Sequence, residues 1–291
     1  MFSAAYSIVS QYVRPVIIST RTEDGNVSSG MATFMVLNDE KWALTCAHVV
    51  EAVITAQKHS AERDEYLAKV AAIESDSSLS PGKKRHKIGQ LTKNWQWITH
   101  NSTWWAADAI GFETIHVDPL LDIAAVKLTG NAPTIEVQGY PTFADPASPI
   151  TPGTSLCRLG FPFFEVKTTF EQGTGQFRIE NMPPSLAMFP NDGIFTRNMC
   201  VVDQNTKRQV NFIETSSPGL RGQSGGPIFD VNGHIWALQS RTIHLPLGFA
   251  PKVVLKGREI TEHQFMHAGV GLYVKHIREF LASLNIKFRS A

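Results

Sequence analysis

Cysteine is scarce: three residues, Cys46, Cys157 and Cys200, in a chain of 291. Thiols so few and so scattered cannot make a disulfide framework, and no Cys-x-x-Cys pair offers zinc-site spacing, so three reduced, buried thiols are expected. An excess of one charge is lacking as well. Lys and Arg number 27 against 26 Asp and Glu, and a net charge of +1 gives no long-range field to gather a polyanion. Nucleic acid is thereby excluded as the main partner. No apolar run approaches the roughly 18 residues of a membrane span, and Met1 to Tyr12 has neither a basic residue nor an apolar stretch of secretory length. These absences predict a cytoplasmic protein that makes no membrane contact.

What is present favours an all-β chain. Apolar residues make up 43%, enough to bury a core, and 21 Gly with 16 Pro suit short strands joined by tight turns. Strands are expected at Arg14–Thr20, Gly30–Leu37 and Lys41–Cys46, separated by turn residues such as Asp24-Gly25-Asn26. The period then changes. Ala61–Ser75 places Tyr66, Leu67, Val70 and Ala71 on one helical face, and Ser80-Pro81-Gly82 breaks it. Ile88, Leu91, Trp95 and Ile98 follow at helical spacing, so a helical hairpin is expected at about 55–100, with a solvated basic run at Lys83–Lys87. Strands resume at Ile110–Val117 and Ile123–Leu128.

Five prolines between 133 and 152 rule out a regular element there and mark a linker. Beyond it, strands are expected at Ser155–Leu159, Thr174–Glu180, Asn211–Thr215, Pro227–Asp230 and His234–Ser240. Val274, Ile277, Leu281 and Leu284 predict a closing amphipathic helix. The expected organisation is one β unit at 13–132, a second at 153–273 and a helix at 274–286.

The string Arg221-Gly222-Gln223-Ser224-Gly225-Gly226-Pro227 carries the chemistry. Glycines around a serine permit a tight turn and let a substrate backbone approach, and the N–H groups of Gly222 and Ser224 are placed to meet a developing oxyanion. A serine hydroxyl needs a base and a carboxylate to orient that base. Thr45-Cys46-Ala47-His48 sets a histidine just after a strand, and Leu121-Asp122-Ile123-Ala124 sets an acid at the start of another. Asp118 and Asp108 are the substitutes, but neither begins an apolar strand.

With His48, Asp122 and Ser224 in that order, in the contexts TCAH, DIA and GxSGGP, the chain resembles the trypsin-like, chymotrypsin-fold serine proteases. It is most similar to the bacterial HtrA-type and glutamyl-endopeptidase-type branches, without a PDZ domain. The resemblance covers about Pro15 to Leu284 and implies two six-stranded antiparallel β-barrels, His48 and Asp122 from the first and Ser224 from the second. It implies a serine endopeptidase acting on a protein or peptide through an acyl-enzyme, with no cofactor and no metal. It also implies that Pro218 lies at the base of the primary specificity pocket, and that Leu238, Gln239 and Ser240 offer a strand edge to the substrate. With Pro218 where trypsins carry an aspartate, a small or medium apolar side chain before the cut is expected.

Other readings are weaker. The G-x-S-x-G elbow of α/β-hydrolases needs an acid and then a histidine after the serine, and only 67 residues follow Ser224. His263 and His267 can share a helical face, but without HExxH or a third ligand they read as a surface pair. Trp95, Trp97, Trp104 and Trp105 are expected to pack the hairpin onto the first unit. Gln223 stands where secreted relatives carry an aspartate that switches activity, so control is expected from elsewhere, whether a partner protein, a loop rearrangement or substrate scarcity, with the helical insertion as the candidate docking arm for a regulatory partner. A binding module that keeps the cleft without turnover is the alternative to an enzyme.

Overall fold

The computed structural model describes residues 1–108, 110–130, 132–183 and 185–291. Six strands build the first sheet: β1 (Val13–Thr22), β2 (Val27–Val36), β3 (Trp42–Thr45), β4 (Ile98–Trp105), β5 (Phe112–Asp118) and β6 (Ile123–Leu128). They lie in the order β4-β1-β2-β3-β6-β5 with antiparallel neighbours. The β1–β2 hairpin turns at Gly25, whose φ of 87° is open to a residue without Cβ. Inward side chains fill the sheet's interior, with Phe34 edge-on to Trp105 at 5.1 Å. Each such side chain, fully buried, stabilises the fold by about 1.5–3 kcal/mol before entropy is counted.

The second half holds β7 (Thr142–Phe143), β8 (Ser155–Gly160), β9 (Thr168–Glu171), β10 (Gln176–Ile179), β11 (Phe189–Val202), β12 (Gln209–Thr215), β13 (Pro227–Phe229), β14 (His234–Pro246), β15 (Lys252–Leu255), β16 (Arg258–Thr261), β17 (Phe265–Tyr273) and β18 (Arg289–Ser290). Its main sheet runs β13-β8-β11-β12-β17-β14, and β13 pairs back onto β14, closing a six-stranded barrel that leaves those strands no edge. The two-barrel, chymotrypsin-like architecture is therefore present. The proline-rich stretch 133–152 is not wholly irregular, because β7 falls inside it and runs parallel to β14 and β18.

Among the described residues four helices accompany the strands: α1 (Ser3–Val9), α2 (Ala47–Ser75), α3 (Pro81–Gly89) and α4 (Val274–Ser283). The inserted helix begins earlier than its periodicity predicts. Its 29 residues, about 44 Å at 1.5 Å per residue, start directly after Cys46, and its buried residues end at Ala56. The helical spacing from Ile88 to Ile98 misleads. The chain leaves α3 at Gly89 because the carbonyls of Trp95 and Trp97 accept backbone hydrogen bonds from Asp24 and Glu23 at the β1–β2 turn. Trp97 does tie the arm down, with its indole N–H 3.0 Å from Glu62 and its ring against Tyr66, whereas Trp95 stays exposed.

Two further expectations need correction. Cys46 and Cys157 are buried but Cys200 is exposed, on the outward face of β11. His263 and His267 share no helix: His267 lies in β17, opposite His244 of β14, with the two Nδ1 atoms 2.6 Å apart.

Candidate active site

His48 occupies the first turn of α2, and Asp122 the bend between β5 and β6. Asp122 adopts φ 53°, a left-handed conformation that aspartate tolerates better than most residues. The bend aims the carboxylate at α2. His48 Nδ1 lies 2.9 and 3.0 Å from the two Asp122 oxygens, and the His48 backbone N–H donates to Oδ1 at 3.1 Å. Asp122 thus does two jobs: it fixes the imidazole and satisfies an unpaired donor at the helix N-terminus, where negative charge is favoured. The Ser240 hydroxyl donates to Oδ2 at 2.6 Å. Burial works to raise the Asp122 carboxyl, but the hydrogen bonds from His48 and Ser240 and the attraction to the ring outweigh it and hold the group below the usual aspartate range.

Ser224 sits in the loop between β12 and β13. Gln223 N–H donates to the Leu220 carbonyl at 2.9 Å, closing a four-residue turn whose third residue, Gly222, has φ 100°. Positive φ at that position makes a type II turn; a type I turn would flip the Arg221–Gly222 peptide and carry the Gly222 N–H away. Any Cβ on Gly222 would collide with the Phe161 carbonyl. Among the described residues, neither the Gly222 nor the Ser224 N–H donates to another group of the chain.

The loop is held from three sides. Thr33 of β2 donates its N–H to the Ser224 carbonyl at 2.9 Å and its hydroxyl to the Gly222 carbonyl at 2.7 Å. Thr45 in turn donates to the Thr33 carbonyl at 2.8 Å. Gln223, fully buried, accepts from Leu220 N–H through Oε1 at 2.9 Å and donates through Nε2 to Phe189 at 3.3 Å. His48, Ser224, Gly222 and Arg221 line one cleft of about 410 Å³ between the barrels. The Ser224 hydroxyl points at the Ser240 carbonyl, 3.5 Å away.

The other expected residues fall as follows. The Pro218 carbonyl accepts hydrogen bonds from Arg158 and Asn191. Leu238 is enclosed between β13 and β17, and the Gln239 backbone is consumed by Gly225 and Gly226, so neither offers a free edge. Ser240 stands at the irregularity between β14 and β17 and reaches the Asp122 carboxylate, a role its sequence context did not signal. Thr33 was likewise missed, although it lies within a glycine-containing strand motif.

Cys46 Sγ, His48 Nδ1 and an Asp122 oxygen lie within 4.8 Å of one another, the spacing of a metal cluster. Their chemistry argues otherwise. Burial and the nearby Asp122 push the Cys46 thiol well up, so it is neutral and donates to the Gln239 carbonyl at 3.1 Å, and His48 Nδ1 is already engaged by Asp122. The three groups form a hydrogen-bonded cluster in which Asp122 holds the His48 ring and Cys46 ties to the Gln239 carbonyl.

Comparison with known proteins identifies the fold and the family. Among solved structures, that of the Rv3671c protease from M. tuberculosis in its active form is similar at TM-score 0.52 and 13% identity, covering 99% of this chain and 86% of that one, a likeness of fold. The HtrA-type protease AlgW with a tripeptide matches at TM-score 0.49 and 13% identity, over 98% of this chain and 63% of that one. No curated protein matches. A sequence model described as a trypsin-like peptidase domain matches residues 32–238. That span takes in His48, Asp122 and Ser224 and well over half of the chain, and it makes this protein a member of the trypsin-like peptidase family of serine peptidase hydrolases.

Proposed function

We propose that the chain is a serine endopeptidase in which Ser224 attacks the scissile carbonyl of a protein or peptide substrate and carries the acyl group. His48 takes the hydroxyl proton and returns it to the leaving amine, while Asp122 holds the ring in one tautomer and stabilises its cation. Gly222 and Ser224 N–H groups receive the oxyanion, each such donor being worth about 3–4 kcal/mol. The observation that carries the reading is the pairing of an engaged His48–Asp122 couple with two unused N–H groups beside Ser224 in the same cleft. The chemistry uses side chains and backbone of this chain alone.

The proposal extends to setting and control. Free cysteines, one of them exposed, fit an intracellular site of action, and among the described residues no helix is long and apolar enough to cross a membrane. Gln223 holds the turn by neutral hydrogen bonds, so no ion pair with a new N-terminus is needed. Control then falls to a protein partner at the α2–α3 arm, whose far end buries nothing. Hydrolysis of a fluorogenic peptide library tests the reading: turnover by the wild type and none by Ser224→Ala supports it. Equal activity of the two, or none by the wild type alone or with cell extract, favours a binding module.

A further inference from the structure

The ribbon of β14 and β17 outlasts the second barrel. β13 pairs with β14 no farther than Leu238, and β12 pairs with β17 no farther than Gly269, whereas β14 and β17 stay paired out to Pro246 and Phe265. On this projecting end His244 lies directly opposite His267. Residues so placed in an antiparallel pair share one face, with Cβ atoms about 4.5–5.5 Å apart. The two rings meet edge to face, centroids 4.7 Å apart at 84°, and bring their Nδ1 atoms to 2.6 Å. Both residues are exposed, so water was available to each nitrogen. The nitrogens converge instead. Among the described residues neither ring makes another side-chain hydrogen bond or an ion pair.

Two imidazole nitrogens aimed at one point are a chelate. A neutral imidazole carries one proton and one lone pair, and its lone pair suits zinc, copper and nickel. In the pair as it stands one Nδ1 donates to the other; moving that proton to Nε2 of the same ring frees both Nδ1 lone pairs, and no proton is lost. Zinc–nitrogen bonds of about 2.0–2.1 Å set two tetrahedral ligands about 3.3 Å apart, so the rings need part by less than about 1 Å. The strand ladder fixes both side chains before any metal arrives, which keeps the ordering cost of the chelate small. Among the described residues no carboxylate, thiol or third imidazole lies close enough to join the pair, so water fills the remaining positions. The place matters to the cleft. Thr242, two residues back along β14 and so on the same face, donates to the Gly219 carbonyl at 2.6 Å, and Ser240, two further back, reaches Asp122. A metal on the pair therefore clamps the end of the strand that carries Ser240.

We propose that His244 and His267 form a binding site for a divalent transition metal of the zinc class, which clamps β14 to β17 beside the cleft. The metal takes no part in the acyl-enzyme chemistry, and the test needs no turnover. It is calorimetric titration of the whole chain with zinc chloride, paired with hydrogen exchange read by mass spectrometry with and without zinc. The wild type is expected to take up zinc in an event that His244→Ala and His267→Ala each weaken at least about tenfold, because even a partner standing behind a metal ligand is worth ten- to a hundredfold in affinity. His263→Ala is expected to bind as the wild type does, since His263 lies outside the paired strands. Zinc is also expected to slow amide exchange in residues 241–247 and 264–269 of the wild type and of neither histidine variant. A folded wild type that binds no zinc overturns the proposal. So does binding that survives both substitutions, the result if zinc sits on Cys46, His48 and Asp122 or on the exposed Cys200. Should a variant fail to fold, exchange in the wild type decides alone: zinc bound without slowing at 241–247 and 264–269 overturns the site.

Discussion

At the residue scale, the catalytic role proposed for Asp122 is tied to stability, because one carboxylate holds the His48 ring, caps α2 and receives Ser240. Asp122→Asn keeps the shape but cannot hold the ring's tautomer, and kcat is expected to fall by about 10⁴-fold, as measured by peptide turnover. The same substitution has a pH signature. The folded carboxyl titrates below its ordinary value, so its stabilisation is present above the usual aspartate range and is lost as pH falls through the lowered value. Urea unfolding of the wild type should therefore weaken across that acid window, and Asp122→Asn should show a shallower acid slope. Thr33→Val tests the latch on the turn. It removes the hydroxyl bond to the Gly222 carbonyl while preserving volume, and about 1–2 kcal/mol of stability should go with it. With the Gly222 peptide less firmly aimed, kcat should fall while KM changes little; a change in KM alone would place Thr33 outside the oxyanion machinery.

At the scale of elements, what could be read from the sequence depended on whether the cause of each element was local. The strand at Ile123–Leu128 was legible to the residue, because an apolar run follows an aspartate in a bend. The start of α2 was not. Its N-cap is Cys46, which makes no capping hydrogen bond, and the compensating acceptor, Asp122, is distant in sequence. The loop from Gln90 to Trp97 mimics a helical period, yet its backbone is pinned to the β1–β2 turn from outside the segment. Ser224, Gly222 and His48 stood out because the roles proposed for them restrict neighbouring residue types. Arg158 looked like an ordinary charged residue in a strand, and only the structure shows that it is buried. The far arm offers a test of independence: replacing Ala68–Lys87 by a short Gly/Ser link retains the ties of Arg63 and Tyr66. Peptide turnover should be unchanged and the unfolding free energy should move by less than about 1 kcal/mol. Loss of activity would mean that the arm supports the cleft.

At the scale of the whole molecule, the site exists only where two barrels meet. The first carries His48, Asp122 and the Thr33 and Thr45 latch, and the second carries the Ser224 loop and the Ser240 hydroxyl. Cys46 Sγ donating to the Gln239 carbonyl is one more tie across that seam. Together the two halves form the cleft that His48 and Ser224 line. The claim at the centre of this account is that Ser224 is an activated nucleophile. Treatment of the purified chain with a fluorophosphonate, followed by mass spectrometry of the labelled peptide, measures this directly. The account expects a covalent adduct on Ser224 that disappears in Ser224→Ala and forms far more slowly in His48→Ala; a folded wild-type chain that takes no label at Ser224, or takes it equally fast without His48, would contradict it.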